Sequence, residues 1–326
     1  YSGVSPVALL PNLRRSEYFT GLGRDGSAVY MYSGRPLHST SQLRGRNMIS
    51  NDVKEIADHY TQGTVLDAIK NGLASLGKSA ENVTLEDLGP VDEFHIGGRE
   101  ATGEFLDQLT LSADDHVLDV GCGIGGAARF AAERYGSTVT GLDLTAEYIE
   151  TGQALCAWVG LADRITLQQG SGTDMPFADH SFDKAYMMHV GMNIADKVAL
   201  VGQLHRVLKP GGRLGIYDVM RVGDGDLTFP LPWSSLPETS ALSRPEQYMD
   251  ALKGAGFQLV AERNRRIYAM AFFAQLRASM ASADGPPPLG LHILMGDTTP
   301  LKIRNVVAHI TENHIAPVEL IAEKPY

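Results

Sequence analysis

The sequence predicts an α/β protein built on a doubly wound parallel sheet with helices on both faces. Three observations predict it. Short apolar segments alternate with amphipathic ones between His116 and Asp218. Glycines crowd the first strand-to-helix junction, at Gly121, Gly123 and Gly126. The second strand of the series ends on an acid, Asp143. At 326 residues, 44% hydrophobic and 20% charged, the chain has room for one large domain with additions or two small ones.

Taken in order, a helical period runs from Asp52 to about Leu76, where Val53, Ile56, Tyr60, Val65, Leu66, Ile69 and Leu73 recur at three and four. Thr84 to Leu88 reads as a short capped turn before Gly89-Pro90, and Glu100 to Leu109 as a helix. Strands follow at 116–120, 138–143, 165–168, 182–187 and 213–218, with helices at 127–135, 146–159 and 197–208. After Asp218 the rhythm breaks into a Gly-, Pro- and Ser-rich stretch, 222–245, with the apolar patch Phe229 to Trp233. A helix at 245–255, a strand at 257–261 and a last strand at 317–322 complete the series. Residues 266–310 read as an insertion, two helices split by the breaker Gly285-Pro286-Pro287-Pro288.

The first 47 residues differ. They hold six arginines, seven serines and only two acids, Glu17 and Asp25. This composition suits a disordered extension, an organelle transit segment or an engineered remnant, and Met48 offers an internal start. The domain reading is therefore 1–47 as extension, 48–102 as a helical lid, and 103–326 as a core with substrate-capping insertions near 222–245 and 266–310. A net charge of -10 argues against a broad hold on nucleic acid. No apolar run reaches the roughly 18 residues of a membrane span. Two cysteines without zinc or disulfide spacing fit a reducing compartment, so a cytoplasmic location is expected, or an organelle if the first residues are a transit segment. No metal is expected.

The loop Gly121-Cys122-Gly123-Ile124-Gly125-Gly126 also satisfies the dinucleotide fingerprint. Asp119 separates the two readings. A carboxylate at that strand end repels a pyrophosphate, whereas it suits the cationic amino group and sulfonium of S-adenosylmethionine, which carries no phosphate. A nicotinamide-dependent dehydrogenase is disfavoured on this ground. Asp143 can accept both ribose hydroxyls, or cap the helix after Thr145, and both roles can hold. Cys122 reads as a small filler in a tight turn rather than a nucleophile.

Val117 to Gly125 resembles the first motif of class I S-adenosylmethionine-dependent methyltransferases. Gly170-Ser171-Gly172-Thr173-Asp174-Met175-Pro176-Phe177 resembles their adenine-binding segment, and Arg206 to Gly212 their turn into strand five. The resemblance implies a seven-stranded Rossmann-like sheet with the last strand antiparallel. It implies cofactor contacts at Asp119, Gly121, Gly123, Asp143, Leu144, Ser171, Gly172 and Thr173. Ser171 stands where an acid is usual, so Asp174 or a backbone carbonyl is the alternative partner for the adenine amino group. Phe94 to Thr102 is similar to the segment ahead of the core in enzymes acting on phosphoethanolamine, glycine and sarcosine, and tocopherols. That similarity places His95 at the methionine end of the cofactor and the His189 to Ile194 segment near the methyl group.

The expected activity is methyl transfer to a small acceptor, at an amine nitrogen first, with oxygen, sulfur or carbon of a phenol, thiol or natural product behind it. A non-catalytic cofactor-binding regulatory protein is the remote alternative. His189 is the expected general base, or else a packed histidine, and it also faces the cofactor. Tyr60 orients the acceptor or fills the core. Asn193 is a substrate hydrogen-bonder or a helix cap. Trp233 covers the acceptor, holds a cationic amine by its ring face, or meets a second copy in a homo-oligomer. DNA methylation motifs are missing: no Pro-Cys dipeptide occurs, and Met187-Met188-His189-Val190 stands where the amine-directed motif belongs.

Overall fold

Three short strands precede the main fold: β1 (Phe19–Leu22), β2 (Ala28–Tyr32) and β3 (Arg35–Pro36), paired antiparallel in that order. They belong to a unit of their own, Tyr1–Lys54, separate from Glu55–Tyr326. The computed structural model describes residues 19–22, 28–32, 35–36, 54–281 and 287–326. The rest of the expected extension, Met48, and the first two residues of the Gly285 to Pro288 breaker lie outside the described residues.

The helical period read through 52–76 is two helices, α1 (residues 54–60) and α2 (Val65–Ser75). The break at 61–64 comes from outside the segment. The Glu147 carboxylate accepts the amides of Gln62, Gly63 and Val65, at 2.6, 2.8 and 2.9 Å, so those donors do not need a helical partner. The expected short turn before Gly89-Pro90 extends into α3 (Leu85–Asp92), started by a reciprocal Thr84–Asp87 capping box and carried through Pro90. α4 (Gly98–Asp107) follows.

The main sheet then alternates with helices: β4 (His116–Val120), α5 (Gly126–Tyr135), β5 (Thr138–Asp143), α6 (Ala146–Trp158), β6 (Ile165–Gln169), β7 (Phe182–Met188), α7 (Lys197–Val207) and β8 (Leu208–Arg221). α8 (Pro245–Ala255) and β9 (Gln258–Asn264) come next. The expected insertion holds α9 (Arg266–Ala281), α10 (His292–Met295) and α11 (Thr299–Thr311), and β10 (Ile315–Glu323) ends the series. Strand order is β6-β5-β4-β7-β8-β10-β9, with β10 antiparallel to both neighbours. This is the predicted doubly wound seven-stranded sheet.

Both faces of the central strands are covered, which is why they read as near-continuous apolar runs, while the edge strand β9 is exposed along most of its length. Leu118, Ile216 and Val318 pack with Leu200, Leu204, Tyr248 and Leu252 from α7 and α8. On the other face Val117 and Tyr217 pack with Phe105, Leu109, Ala128 and Ala131 from α4 and α5. Truncating one of these buried leucines to alanine costs about 2–5 kcal/mol. The consequence for function is that the carboxyl ends of β4, β5, β6, β7 and β8 are held level on a rigid base.

Candidate active site

The glycine loop leaves β4 with three residues in the left-handed region, Gly121, Gly123 and Gly125. At Gly123 (φ 53°) an added Cβ meets no atom within 4 Å, so its backbone borders open space. At Gly126 a Cβ would overlap the Asp92 carbonyl, because α3 lies directly against the start of α5. A fully buried ion pair fixes that contact. Arg129 meets Asp92 at 2.5 Å and donates to the Ile124 carbonyl of the loop at 2.8 Å.

Two carboxylates flank the loop. Asp143 accepts the Gly123 amide at 2.9 Å and the Thr145 amide at 2.8 Å, one on each oxygen. It is half-buried, and each oxygen keeps a second lone pair for a hydroxyl. The helix-cap reading is therefore met through an Asx-type contact, while Thr145 itself is the cap residue and makes no side-chain cap bond. Asp119 is 2% exposed and accepts the Tyr186 hydroxyl from the neighbouring strand at 3.1 Å. Burial, with the charge of Asp143, raises its carboxyl to about 7. Its carboxyl makes no ion pair with a cationic side chain among the described residues, and a cationic group beside it would favour its ionised form.

The segment after β6 folds on itself. Ser171 Oγ lies 2.9 Å from Thr173 Oγ1 and accepts the Thr173 amide at 3.2 Å, while Asp174 is exposed. The Leu144 carbonyl accepts Gln169 Nε2 at 2.9 Å, tying the ends of β5 and β6. Gly172 lies against Val120, Ile194 and Leu200.

The segment after β7 is braced at almost every polar atom. Asp218, fully buried, accepts the amides of Val190 and Gly191 at 2.7 and 3.0 Å and the Tyr248 hydroxyl at 2.9 Å. Burial raises its carboxyl to about 6. Lys197 donates to the carbonyls of Gly191, Ile194 and Ala241. His189, at φ 58°, has both ring nitrogens occupied: Nδ1 faces the Tyr217 carbonyl at 3.1 Å, and Nε2 accepts the Ile96 amide at 3.3 Å. Burial lowers its pKa to about 3. The ring nitrogen lone pair that a base needs is therefore already in use, contrary to the expectation from position alone.

His95 is different. Its Nε2 lies 2.9 Å from Glu93 Oε2 and 2.9 Å from Thr102 Oγ1, and Thr102 donates to the same carboxylate oxygen at 2.6 Å. Burial would raise Glu93, but the hydrogen bonds from His95 and Thr102 outweigh it and hold the carboxyl at about 2. Nε2 thus carries a proton toward a fixed carboxylate. Nδ1 has only the Ile96 carbonyl, 3.4 Å away. The His95 and His189 rings are 5.9 Å apart.

The Tyr60 hydroxyl donates to Asn193 Oδ1 at 2.9 Å, and Asn193 Nδ2 donates to the Trp233 carbonyl at 2.7 Å. Burial and the nearby Asp143 push the Tyr60 phenol well above its usual range, so it keeps its proton. Trp233 is 3% exposed. Its ring packs with Ile96, Met192, Leu231 and Phe273, and its Nε1 donates to Ser240 at 3.0 Å. It is a wall of this cluster and does not present an open ring face.

Residues 118–216 match the model of a methyltransferase domain. The chain is 30% identical over 214 residues to the O-methyltransferase resE of Aspergillus sclerotiorum, covering 64% of this chain and 76% of that one. The chain belongs to the class I S-adenosylmethionine-dependent methyltransferases. Phosphoethanolamine N-methyltransferase 1 of Zea mays is 34% identical over 169 residues, 52% of this chain but only 33% of the maize enzyme. Among solved structures, geranyl diphosphate C-methyltransferase from Streptomyces coelicolor A3(2) aligns with a TM-score of 0.59 at 19% identity, covering 84% of this chain and 98% of that one. The [4+2]-cyclase SpnF aligns at 0.60 and 20% identity, over 84% and 97%. At such identities the structures speak for the fold alone.

This methyltransferase uses S-adenosylmethionine, and its sequence-predicted residues converge at one end of the sheet. Gly121, Gly123 and Asp119 lie at the end of β4, and Asp143, at the end of the neighbouring β5, accepts the Gly123 amide. His95 and His189 are in ring contact, and Tyr60, Asn193 and Trp233 are linked by hydrogen bonds. Sequence reasoning missed Glu93, Asp218, Glu147 and Lys197. Asp218 was readable as the acid ending strand five, the counterpart of Asp143 on strand two. Glu93 had no periodic signal. Among the described residues His309, Glu312 and His314 form the single metal-type cluster. Its His309 Nε2 accepts the Thr228 amide at 2.8 Å, which leaves the proton of the neutral ring on Nδ1, the atom that would face a metal. No helix among the described residues is long and apolar enough to cross a membrane.

Proposed function

We propose that the methyltransferase acts on an amine nitrogen of a small molecule, with His95 as the proton acceptor and His189 as a structural brace. The single observation that carries this reading is the Glu93–His95 pair: a histidine oriented by a buried, ionised carboxylate. A base held by a third group is the arrangement proton abstraction requires. S-Adenosylmethionine supplies an electrophilic methyl on a sulfonium. Asp119 faces its cationic end, Asp143 its ribose hydroxyls, and Leu144 with Ser171, Gly172 and Thr173 its adenine. An ammonium acceptor must shed a proton before its lone pair can attack, and His95 Nδ1 takes that proton. Glu93 stabilises the imidazolium that forms. Helices α1 and α2 act as the lid, with Tyr60 and Asn193 aligning the acceptor; alignment is the larger share of the work in an in-line transfer.

A second reading has its own support. Ile96, Met192, Leu231, Trp233 and Phe273 form an apolar wall beside His95 and Asn193, which suits a bulky apolar acceptor methylated at oxygen or carbon. A panel of amines, phenols, thiols and apolar alkenes, scored by S-adenosylhomocysteine release, separates the two. Turnover of amines alone supports the first; turnover of phenols or alkenes without amines overturns it. Two buried free cysteines support a cytoplasmic site of action.

A further inference from the structure

Among the described residues, two buried side-chain atoms lack any hydrogen-bond partner, and one of them is Tyr148 Oη. Tyr148 stands in the first turn of α6, five residues past Asp143, and is 3% exposed. It belongs to the buried cluster that also holds Val65 and Ile69 of α2 and Ile124 of the glycine loop. The ring centre is 6.0 Å from that of Tyr60.

The polar groups around it make their hydrogen bonds to other residues, and none reaches Tyr148 Oη. Asp143 accepts from Gly123 and Thr145, Glu147 from the lid loop, and the Tyr60 hydroxyl donates to Asn193. Burial, followed by the charges around it, raises the phenol well above its usual range. Tyr148 is thus a permanent donor with no acceptor. A buried hydroxyl left unmatched is destabilising, and phenylalanine would avoid that cost in the same apolar setting. Packing alone does not account for it. Asp143 holds the amide of Gly123, whose backbone borders open space, and its charge reaches both Tyr60 and Tyr148.

We propose that the Tyr148 hydroxyl donates a hydrogen bond to an oxygen of bound S-adenosylmethionine, a ribose hydroxyl or the methionine carboxylate. This rests on the reading that the cofactor lies between Gly123 and Asp143. One helical turn then serves three ends: Asp143 meets the ligand, Glu147 holds the lid loop, and Tyr148 joins ligand to lid through its packing on α2.

The test is Tyr148→Phe in the full chain, followed by thermal unfolding without ligand and by calorimetric titration with S-adenosylhomocysteine and with adenosine. The expected result is an unliganded melting temperature equal to or above wild type, with S-adenosylhomocysteine bound about 5- to 15-fold more weakly, the factor for one lost hydrogen bond. An equal loss for adenosine identifies the ribose; a loss for S-adenosylhomocysteine alone identifies the carboxylate. Unchanged affinity overturns the proposal, and so does a lower unliganded melting temperature accompanying the weaker binding. Asp143→Ala is titrated in parallel. If that variant binds normally, the location of the cofactor is wrong, and the fault lies there rather than with Tyr148.

Discussion

The Glu147 carboxylate accepts the Val65 amide at 2.9 Å, across 82 positions of sequence, and so fastens the start of α2 to the first turn of α6. With Gln62 and Gly63 it takes three backbone donors from one lid loop. Burial opposes the ionised form, but these bonds outweigh it and lower its pKa. The loop is therefore fastened to the turn that follows Asp143.

Glu147→Gln should loosen this attachment. One carboxylate replaced by an amide loses at least one acceptor contact, about 1–2 kcal/mol for charge-assisted bonds. Hydrogen exchange should speed up at 61–66 with little change in the sheet. The sign with pH is set by a carboxyl depressed in the folded state: its stabilisation is present above the ordinary glutamate range and is lost as pH falls through the lower folded value. Equal exchange at 61–66 in variant and wild type would show that the loop is held by something else.

If Asp119 faces the cationic end of the cofactor, as proposed, cofactor affinity should depend on pH. Its unliganded carboxyl sits at about 7, and a cationic ligand prefers the ionised form. Affinity for S-adenosylmethionine should be full above pH 8 and fall progressively as pH drops through 7, up to about tenfold per unit below it. Asp119→Asn should bind more weakly and lose this dependence. A wild-type affinity that stays flat between pH 6 and 8 would remove the assignment.

Asp143→Ala should weaken S-adenosylmethionine binding by about 1.5–3 kcal/mol, the range for charge-assisted hydrogen bonds. The variant also frees the Gly123 amide, so the unliganded melting temperature is measured beside the calorimetric affinity. A folded variant with normal affinity excludes the ribose contact.

The two histidines should separate in kinetics. His95→Ala should lower turnover on the order of 10²–10⁴-fold for acceptors that must shed a proton, while cofactor affinity stays within a few-fold. His189→Ala should mainly lower the melting temperature. The buried ring of His189, held neutral with a pKa of about 3, makes wild-type stability fall as pH drops from about 6.5 toward 3, because the unfolded chain takes up a proton that the folded one refuses. The alanine variant should lack that part of the acid sensitivity. Paired pH–rate and pH–melting profiles decide, and loss of turnover at His189 with full turnover at His95 reverses the roles.

Much of this was legible in the sequence, because local rules and burial pointed the same way. The strands that carry Asp119, Asp143 and Asp218 were visible as apolar runs. The glycines were visible as a turn chemistry that few other residues satisfy. What was hidden depended on partners far away in the chain. The helical period across 52–76 is genuine on both sides of the break, yet Glu147, more than eighty residues on, draws the intervening amides out of the helix. His189 looked like a base by position, and only the Ile96 amide and Tyr217 carbonyl, brought in from other elements, reveal both nitrogens as engaged. The Glu93–His95 pair has a spacing of two, which matches no surface pattern of a helix, and it becomes meaningful once Thr102 closes it from α4.

The place of β10 also orders events during synthesis. It is made last among the seven strands, yet it lies between β8 and β9. Until translation has passed Glu323, β9 has no neighbour to pair with, and β8 offers a bare hydrogen-bonding edge. The glycine loop and Asp143 belong to a half of the sheet that can assemble earlier. The seam between β8 and β9 is therefore closed only by a strand made after both.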